Sequence, residues 1–156
     1  MEQYLFLPED LEALKREVSK IKKKSEELGE ETRTAITQSS ETWHDNFGFE
    51  ENQREQIKLS AQAGDYLKII SRAHIVSWPG LIEKVAIGHI VSVKNLDTGK
   101  ISHYQVGSYI TPGANETVIP YCSPLGKSLI GKKKGDEISF ETPSGKKRYK
   151  IESLEI

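Results

Sequence analysis

A chain of 156 residues, 36% hydrophobic and 29% charged with a formal net charge of -1, is long enough for one ordinary domain or two small ones. Its apolar fraction is thin for a single compact core, and its charge balance is neither that of a polyanion-coating protein nor that of an acidic tail. Cys122 is the one cysteine, which excludes an intramolecular disulfide or a thiolate metal cluster and fits a reducing compartment. Met1 to Glu9 shows no basic stretch followed by a long apolar run, and no window reaches membrane-spanning length, so a cytoplasmic protein is expected.

From Pro8 onward, Leu11, Leu14, Val18, Ile21 and Leu28 recur at alternating spacings of three and four, with Ser25 at the one missed step. That is the seam of a coiled coil. Pro8 suits the first helical turn, where its missing N–H costs nothing, and Glu9, Asp10 and Glu12 complement the helix dipole. Past Leu28 the seam weakens through Thr32, Ala35 and Ile36, and Gln38 to Asn46 turns polar, which predicts a reversal. A second helical pattern then runs to about Ala73, with Ile57, Leu59, Ala63, Tyr66, Leu67 and Ile70 on its apolar face and Gly64 as a minor fault. Two such helices pack antiparallel, because each alone leaves its stripe in water. An arm of about 30 residues at about 1.5 Å per residue gives a rod of roughly 45 Å, a shape suited to reaching.

Trp78-Pro79-Gly80 punctuates the chain, and the period becomes that of strands, so the expected domains are 1–77 and 78–156. His89 to Val93 and Ile101 to Val106 flank Asn95-Leu-Asp-Thr-Gly99 as one hairpin, and Ile138 to Phe140 and Arg148 to Ile151 flank Thr142-Pro-Ser-Gly145 as another. Between them Pro124 to Ile130 suits a short helix, capped by Ser123 and stopped by Gly131. The predicted class is α+β: an N-terminal antiparallel α-helical coiled-coil hairpin, then a small antiparallel β domain with one short helix.

Ser123-Pro-Leu-Gly-Lys-Ser-Leu-Ile-Gly131, then Lys132, Gly135, Asp136 and Tyr149-Lys-Ile-Glu152, resembles the C-terminal signature of the GreA/GreB family of bacterial transcript cleavage factors. The resemblance implies an FKBP-like fold for that domain. It also implies a hairpin that enters the secondary channel of RNA polymerase, where two tip carboxylates help to hold a second Mg2+ for hydrolysis of backtracked RNA. On this resemblance the chain is an accessory factor, and the polymerase remains the enzyme. The family tip reads Asp-Leu-Ser-Glu-Asn-Ala-Glu-Tyr, against Thr42-Trp-His-Asp-Asn-Phe-Gly-Phe49 here. Asp45 then matches the tip glutamate, Asn46 the asparagine and Phe49 the tyrosine, while Thr42 replaces the tip aspartate.

Mg2+ dehydrates reluctantly and binds a lone carboxylate weakly, and a threonine hydroxyl adds no charge. Glu41 is adjacent and longer, but neighbouring helical positions point about 100° apart. Glu50 and Glu51 are further candidates for the missing acid. Two versions stand: one in which Asp45 and a neighbouring glutamate support cleavage, and one in which the tip occupies the channel and modulates or inhibits transcription.

Residues 41–55 hold five acids against Arg54 alone, with Trp43, Phe47 and Phe49 interleaved. Those rings either staple the hairpin end or dock on a partner. Lys15, Arg16, Lys20, Lys22, Lys23 and Lys24 make the first stem basic against Glu17. That is either a solvated coiled-coil face or, as the resemblance implies, a surface turned to nascent RNA, with DNA of the elongation complex nearby. Ser123, Pro124 and Leu125 are the candidate polymerase-docking residues. Gly126-Lys-Ser128 lacks the first glycine of a phosphate loop, Tyr121 standing in its place. His44, His74, His89 and His103 show no metal-ligand spacing, and His44 beside Asp45 is the one placed to tune the tip's charge. No small-molecule substrate or membrane partner is implied. The other classes open are an FKBP-like peptidyl-prolyl isomerase and a free-standing coiled-coil adaptor.

Overall fold

The structure, a computed structural model, describes residues 2–38 and 47–156, with the side chains of residues 35–38, 47 and 49 outside that description. The chain forms two compact units, Leu14–Arg72 and the pair of segments Met1–Ala13 with Ala73–Ile156. Helix α1, Pro8–Gln38, starts at the expected proline, with Glu9 and Asp10 in its first turn. Helix α2, Phe47–Ser71, ends shortly before Ala73.

Within the helical unit, Val18, Ile21, Leu59 and Ala63 are buried together, and Leu28, Tyr66 and Ile70 pack against them. Residues later in α1 meet residues earlier in α2: Ser25 Oγ lies 3.4 Å from Ser60 Oγ, and Lys24 Nζ 4.0 Å from a Glu55 carboxylate oxygen. The pair is therefore antiparallel. On α2 the inward positions are Asn52, Gln56, Leu59, Ala63, Tyr66 and Ile70, a strict four-three alternation. This corrects the sequence expectation for two residues. Ile57 and Leu67 each sit one residue past a seam position, about 100° round the helix, and are 68% and 43% exposed. The seam is apolar around Val18 and Ile21 and turns polar at Ser25, Gln56, Asn52 and Thr32. A Cβ on Gly29 would stand 2.9 Å from the Gln56 amide nitrogen, so the glycine leaves room for that side chain against the α1 backbone.

The other unit is built on a five-stranded sheet. Its strands are β3 (Ile90–Asn95), β4 (Ile101–Gly107), β5 (Val118–Pro120), β6 (Glu137–Thr142) and β7 (Gly145–Glu155), in the order β5-β4-β3-β7-β6. Both predicted hairpins form. In the first, the Asn95 side-chain oxygen accepts from the Asp97 and Thr98 N–H groups, and Gly99 takes the positive φ of 74° that the turn needs. The sheet is mixed rather than purely antiparallel, because β5 joins β4 in parallel. A second parallel pair was also missed: β1 (Tyr4–Phe6) runs beside β2 (Ala73–Ile75).

That pair explains why the observed division departs from 1–77 and 78–156. Phe6 is fully buried, and Leu7 joins the same core as Val85, Val91, Val106, Leu129 and Ile151. The Leu7 N–H donates to Ser108 Oγ at 2.8 Å, and Ser108 donates to Asp10 Oδ2 at 2.6 Å. The Trp78 indole N–H donates to Glu9 Oε2 at 2.9 Å. The first residues of the chain are thus a working part of the sheet domain. Burying each large aliphatic or aromatic side chain there contributes about 1.5–3 kcal/mol.

Helix α3, Pro124–Leu129, lies at the expected place, with Ile130 as its C-cap and Gly131 at φ 81°. Burial raises the pKa of the Tyr149 hydroxyl above its usual 10.0, with Tyr104 adding to the effect, and burial does the same for Tyr109 beside Tyr4.

Candidate functional site

Glu41, Thr42, Asp45 and Asn46 lie outside the described residues, as do Trp43 and His44. Phe49 falls in the first turn of α2, with its side chain outside the description. The described acids nearest to them in sequence are exposed. Glu50 sits one helical turn from Arg54, with a 3.8 Å contact between charged atoms, and Glu55 makes the 4.0 Å contact with Lys24. Exposed pairs of this kind contribute about 0–1 kcal/mol, so they leave the carboxylates able to take another partner. Glu51 is exposed as well. Among the described residues no three His, Cys, Asp or Glu side chains converge in a way that holds a metal ion.

Lys15, Arg16, Lys20, Lys22, Lys23 and Lys24 are all exposed along α1, flanking the buried Val18 and Ile21. The heptad dictates this: seam positions turn inward, and the lysines occupy the outer faces. Six cations over ten residues of helix, with Glu17 among them and Glu55 4.0 Å from Lys24, give a local positive field that favours phosphate.

Ser123 caps α3. Its Oγ accepts from the Gly126 N–H at 3.0 Å and donates to the Pro120 carbonyl at 2.8 Å. Leu125 packs on the core, while Pro124 is exposed. Of the three docking candidates, Pro124 is thus the one whose surface is free for a partner. Gly126 has its own explanation, since a Cβ there would lie 2.2 Å from the Pro120 carbonyl oxygen. The glycine is needed for backbone contact between α3 and the segment before it.

The histidines divide by role. His103 Nδ1 lies 2.6 Å from Ser92 Oγ across the β3–β4 ladder. His89 is fully buried; its Nδ1 accepts from the Ala86 N–H at 2.9 Å, which leaves the ring proton on Nε2, 3.0 Å from the Leu81 carbonyl. Sequence reasoning missed this brace, because a lone histidine at the head of a strand gives no sign of which backbone groups it will meet.

Comparison with known proteins converges with the architecture. Residues 81–156 match the family model described as "Transcription elongation factor, GreA/GreB, C-term". The transcription elongation factor GreA of Thermotoga petrophila is 32% identical over 157 residues, covering 96% of this chain and 91% of the relative. The transcription inhibitor protein Gfh1 of Thermus aquaticus is 29% identical, covering 89% of this chain and 90% of that one. The crystal structure of GreA factor homolog 1 from Thermus thermophilus is 24% identical with a TM-score of 0.46, covering 99% and 100% of the two chains. The chain belongs to the GreA/GreB family.

Proposed function

We propose that this protein is an RNA polymerase-binding transcription factor that presents residues 39–46, the link between its two helices, to the secondary channel of the polymerase. The alignment that supports this runs through both helices as well as the sheet domain, 96% of the chain against GreA. The antiparallel helix pair carries the linking residues, the lysines of α1 supply affinity for phosphate, and the sheet domain binds the enzyme's surface. Catalysis belongs to the polymerase. A second Mg2+ there, when bound, neutralises developing charge and activates water, and Asp45 is the carboxylate this chain contributes nearby.

Two outcomes of such binding are open to the family, and one feature favours the inhibitory one. Thr42 stands where a second acid would be, and the relatives include a protein named as a transcription inhibitor. The isomerase alternative rests on fold alone, and the relatives named above are a transcription elongation factor and a transcription inhibitor.

The test is a backtracked elongation complex of the cognate polymerase with Mg2+ and this protein. Release of short 3′ RNA fragments, abolished by Asp45→Asn, selects the cleavage version. Binding without release selects the inhibitory version, and Thr42→Asp then restores release if the missing carboxylate is the sole defect. Absence of any binding to the polymerase rejects both.

A further inference from the structure

The second half of α3 and the free edge of β6 enclose an open, polar cavity of about 350 Å3. Lys127, Ser128 and Lys132 line one side, and Glu137, Ile138 and Ser139 line the other. Neither the Lys127 nor the Lys132 ammonium makes an ion pair with a described residue. Two like charges around one cavity repel each other, and an anion between them relieves that repulsion.

The strand adds neutral donors. Ile138 is paired with Tyr149, and the Ile151 N–H donates to the Asp136 carbonyl, so the ladder to β7 uses the backbone of Ile138, Phe140 and Thr142. The N–H groups of Glu137 and Ser139 therefore point outward, along the edge where β6 has no neighbouring strand. No described residue bonds to the Ser139 hydroxyl, whereas Ser128 already donates to the Leu125 carbonyl at 2.7 Å. Glu137 is the one acid of the lining, and it stands directly opposite Lys150 of β7, which sets a further cation beside it.

Both walls are fixed before anything binds. Leu129 is fully buried beneath α3, and Val85 N–H donates to the Lys132 carbonyl at 2.8 Å. The turn from α3 to β6 is closed by Asp136, whose Oδ2 accepts from the Lys133 N–H at 2.8 Å. A cavity braced in this way loses little conformational entropy when it fills.

We propose that this cavity binds the phosphate group of a small molecule, either inorganic phosphate or a phosphate monoester. The three terminal oxygens of a monoester, with up to two negative charges, match two ammonium groups, a hydroxyl and an outward N–H better than the two oxygens of a carboxylate. The volume is at the lower end for small-molecule sites. No aromatic ring lines it on which a base could stack, and it is a pocket rather than a stripe, so a terminal phosphate fits better than a nucleic-acid backbone. Lys127 and Ser128, which lack the glycine-rich turn of a phosphate loop, take part here through their side chains.

The experiment titrates the full chain with inorganic phosphate, and separately with glycerol 3-phosphate, at constant ionic strength, read by calorimetry and by backbone amide shifts. Lys127→Gln and Lys132→Gln alter exposed side chains, Lys100→Gln in the β3–β4 turn is the control, and circular dichroism checks that each variant folds. The expected result is saturable binding at one site that moves the Ser139 amide. Lys127→Gln and Lys132→Gln should each weaken it at least about fivefold, and Lys100→Gln less than about twofold. Tighter binding of glycerol 3-phosphate points to an ester as the ligand and equal binding to the free ion; both uphold the site. No saturable binding by the wild type, or the same shifts from potassium chloride, overturns the inference. Binding that survives both cavity variants overturns it as well. A single-stranded oligonucleotide that displaces phosphate and moves the same amides at far lower concentration overturns it in favour of a nucleic-acid contact.

Discussion

The two units hold themselves together by opposite means. The sheet domain draws on contacts between residues far apart in sequence, with Phe6, Val91, Val93, Val106, Leu129 and Ile151 fully buried and Leu7, just after the first strand, bonded to Ser108 about a hundred positions away. The helix pair relies on a single seam, apolar where Val18 and Ile21 meet Leu59 and Ala63, and polar where Ser25, Thr32, Asn52 and Gln56 take over. Stability in such a seam falls off along its length, because each polar step forgoes the burial that an apolar pair contributes. Within the helical unit, the polar half of the seam is therefore the least costly part to open.

Breaking the base gives the largest effect. Phe6→Ala removes a fully buried ring and should destabilise the sheet domain by about 3–5 kcal/mol, read by chemical denaturation followed through the near-ultraviolet signal. If that domain unfolds as in the wild type, the N-terminal strand is not part of its core. Gly126→Ala follows, by at least about 1–3 kcal/mol, since the methyl meets backbone rather than a movable side chain. Ser108→Ala should cost about 1–3 kcal/mol by stranding the Leu7 N–H in a buried site.

The seam is sharpened by the reverse change. Ser25→Leu together with Gln56→Leu, both at seam positions, should stabilise the helix pair by about 1 kcal/mol or more and slow amide exchange in residues 25–34, which in the wild type should exchange faster than residues 14–21. Uniform exchange along both helices would remove the proposed gradient.

The smallest effect is the alkaline one. Tyr109 and Tyr149 hold their protons above the usual pKa of 10.0 when folded, so the unfolded chain ionises first as pH rises. The stability they preserve is complete below pH 10 and declines above it. Tyr149→Phe should flatten that decline in a titration of thermal midpoint.

What the sequence revealed was local chemistry. Pro8 opened α1, the three-four spacing to Leu28 gave the seam, and Ser123 with Pro124 and Gly131 bounded α3, because caps and heptads act over a few residues. What it hid was pairing at a distance. Strands β1, β2 and β5 are three residues each, too short to show alternation, and they exist through parallel partners supplied by the fold. Ile57 and Leu67 misled because hydrophobicity alone does not fix which side of a helix faces its neighbour. At the candidate site, the lysines of α1 were legible and stand exposed as read, and Ser123 and Leu125 are committed to cap and core. Asp45 and Thr42 lie outside the described residues, so their roles rest on matching residue types to the family's tip.

The most direct measurement places a cutting reagent at the tip. With Cys122→Ser to remove the native thiol and Asp45→Cys to accept an iron chelate, hydroxyl radicals generated in the complex with cognate RNA polymerase should cleave the polymerase chains that line its catalytic centre. Cleavage confined to the outer surface of the enzyme, or none despite binding, would contradict delivery of residues 39–46 into the channel.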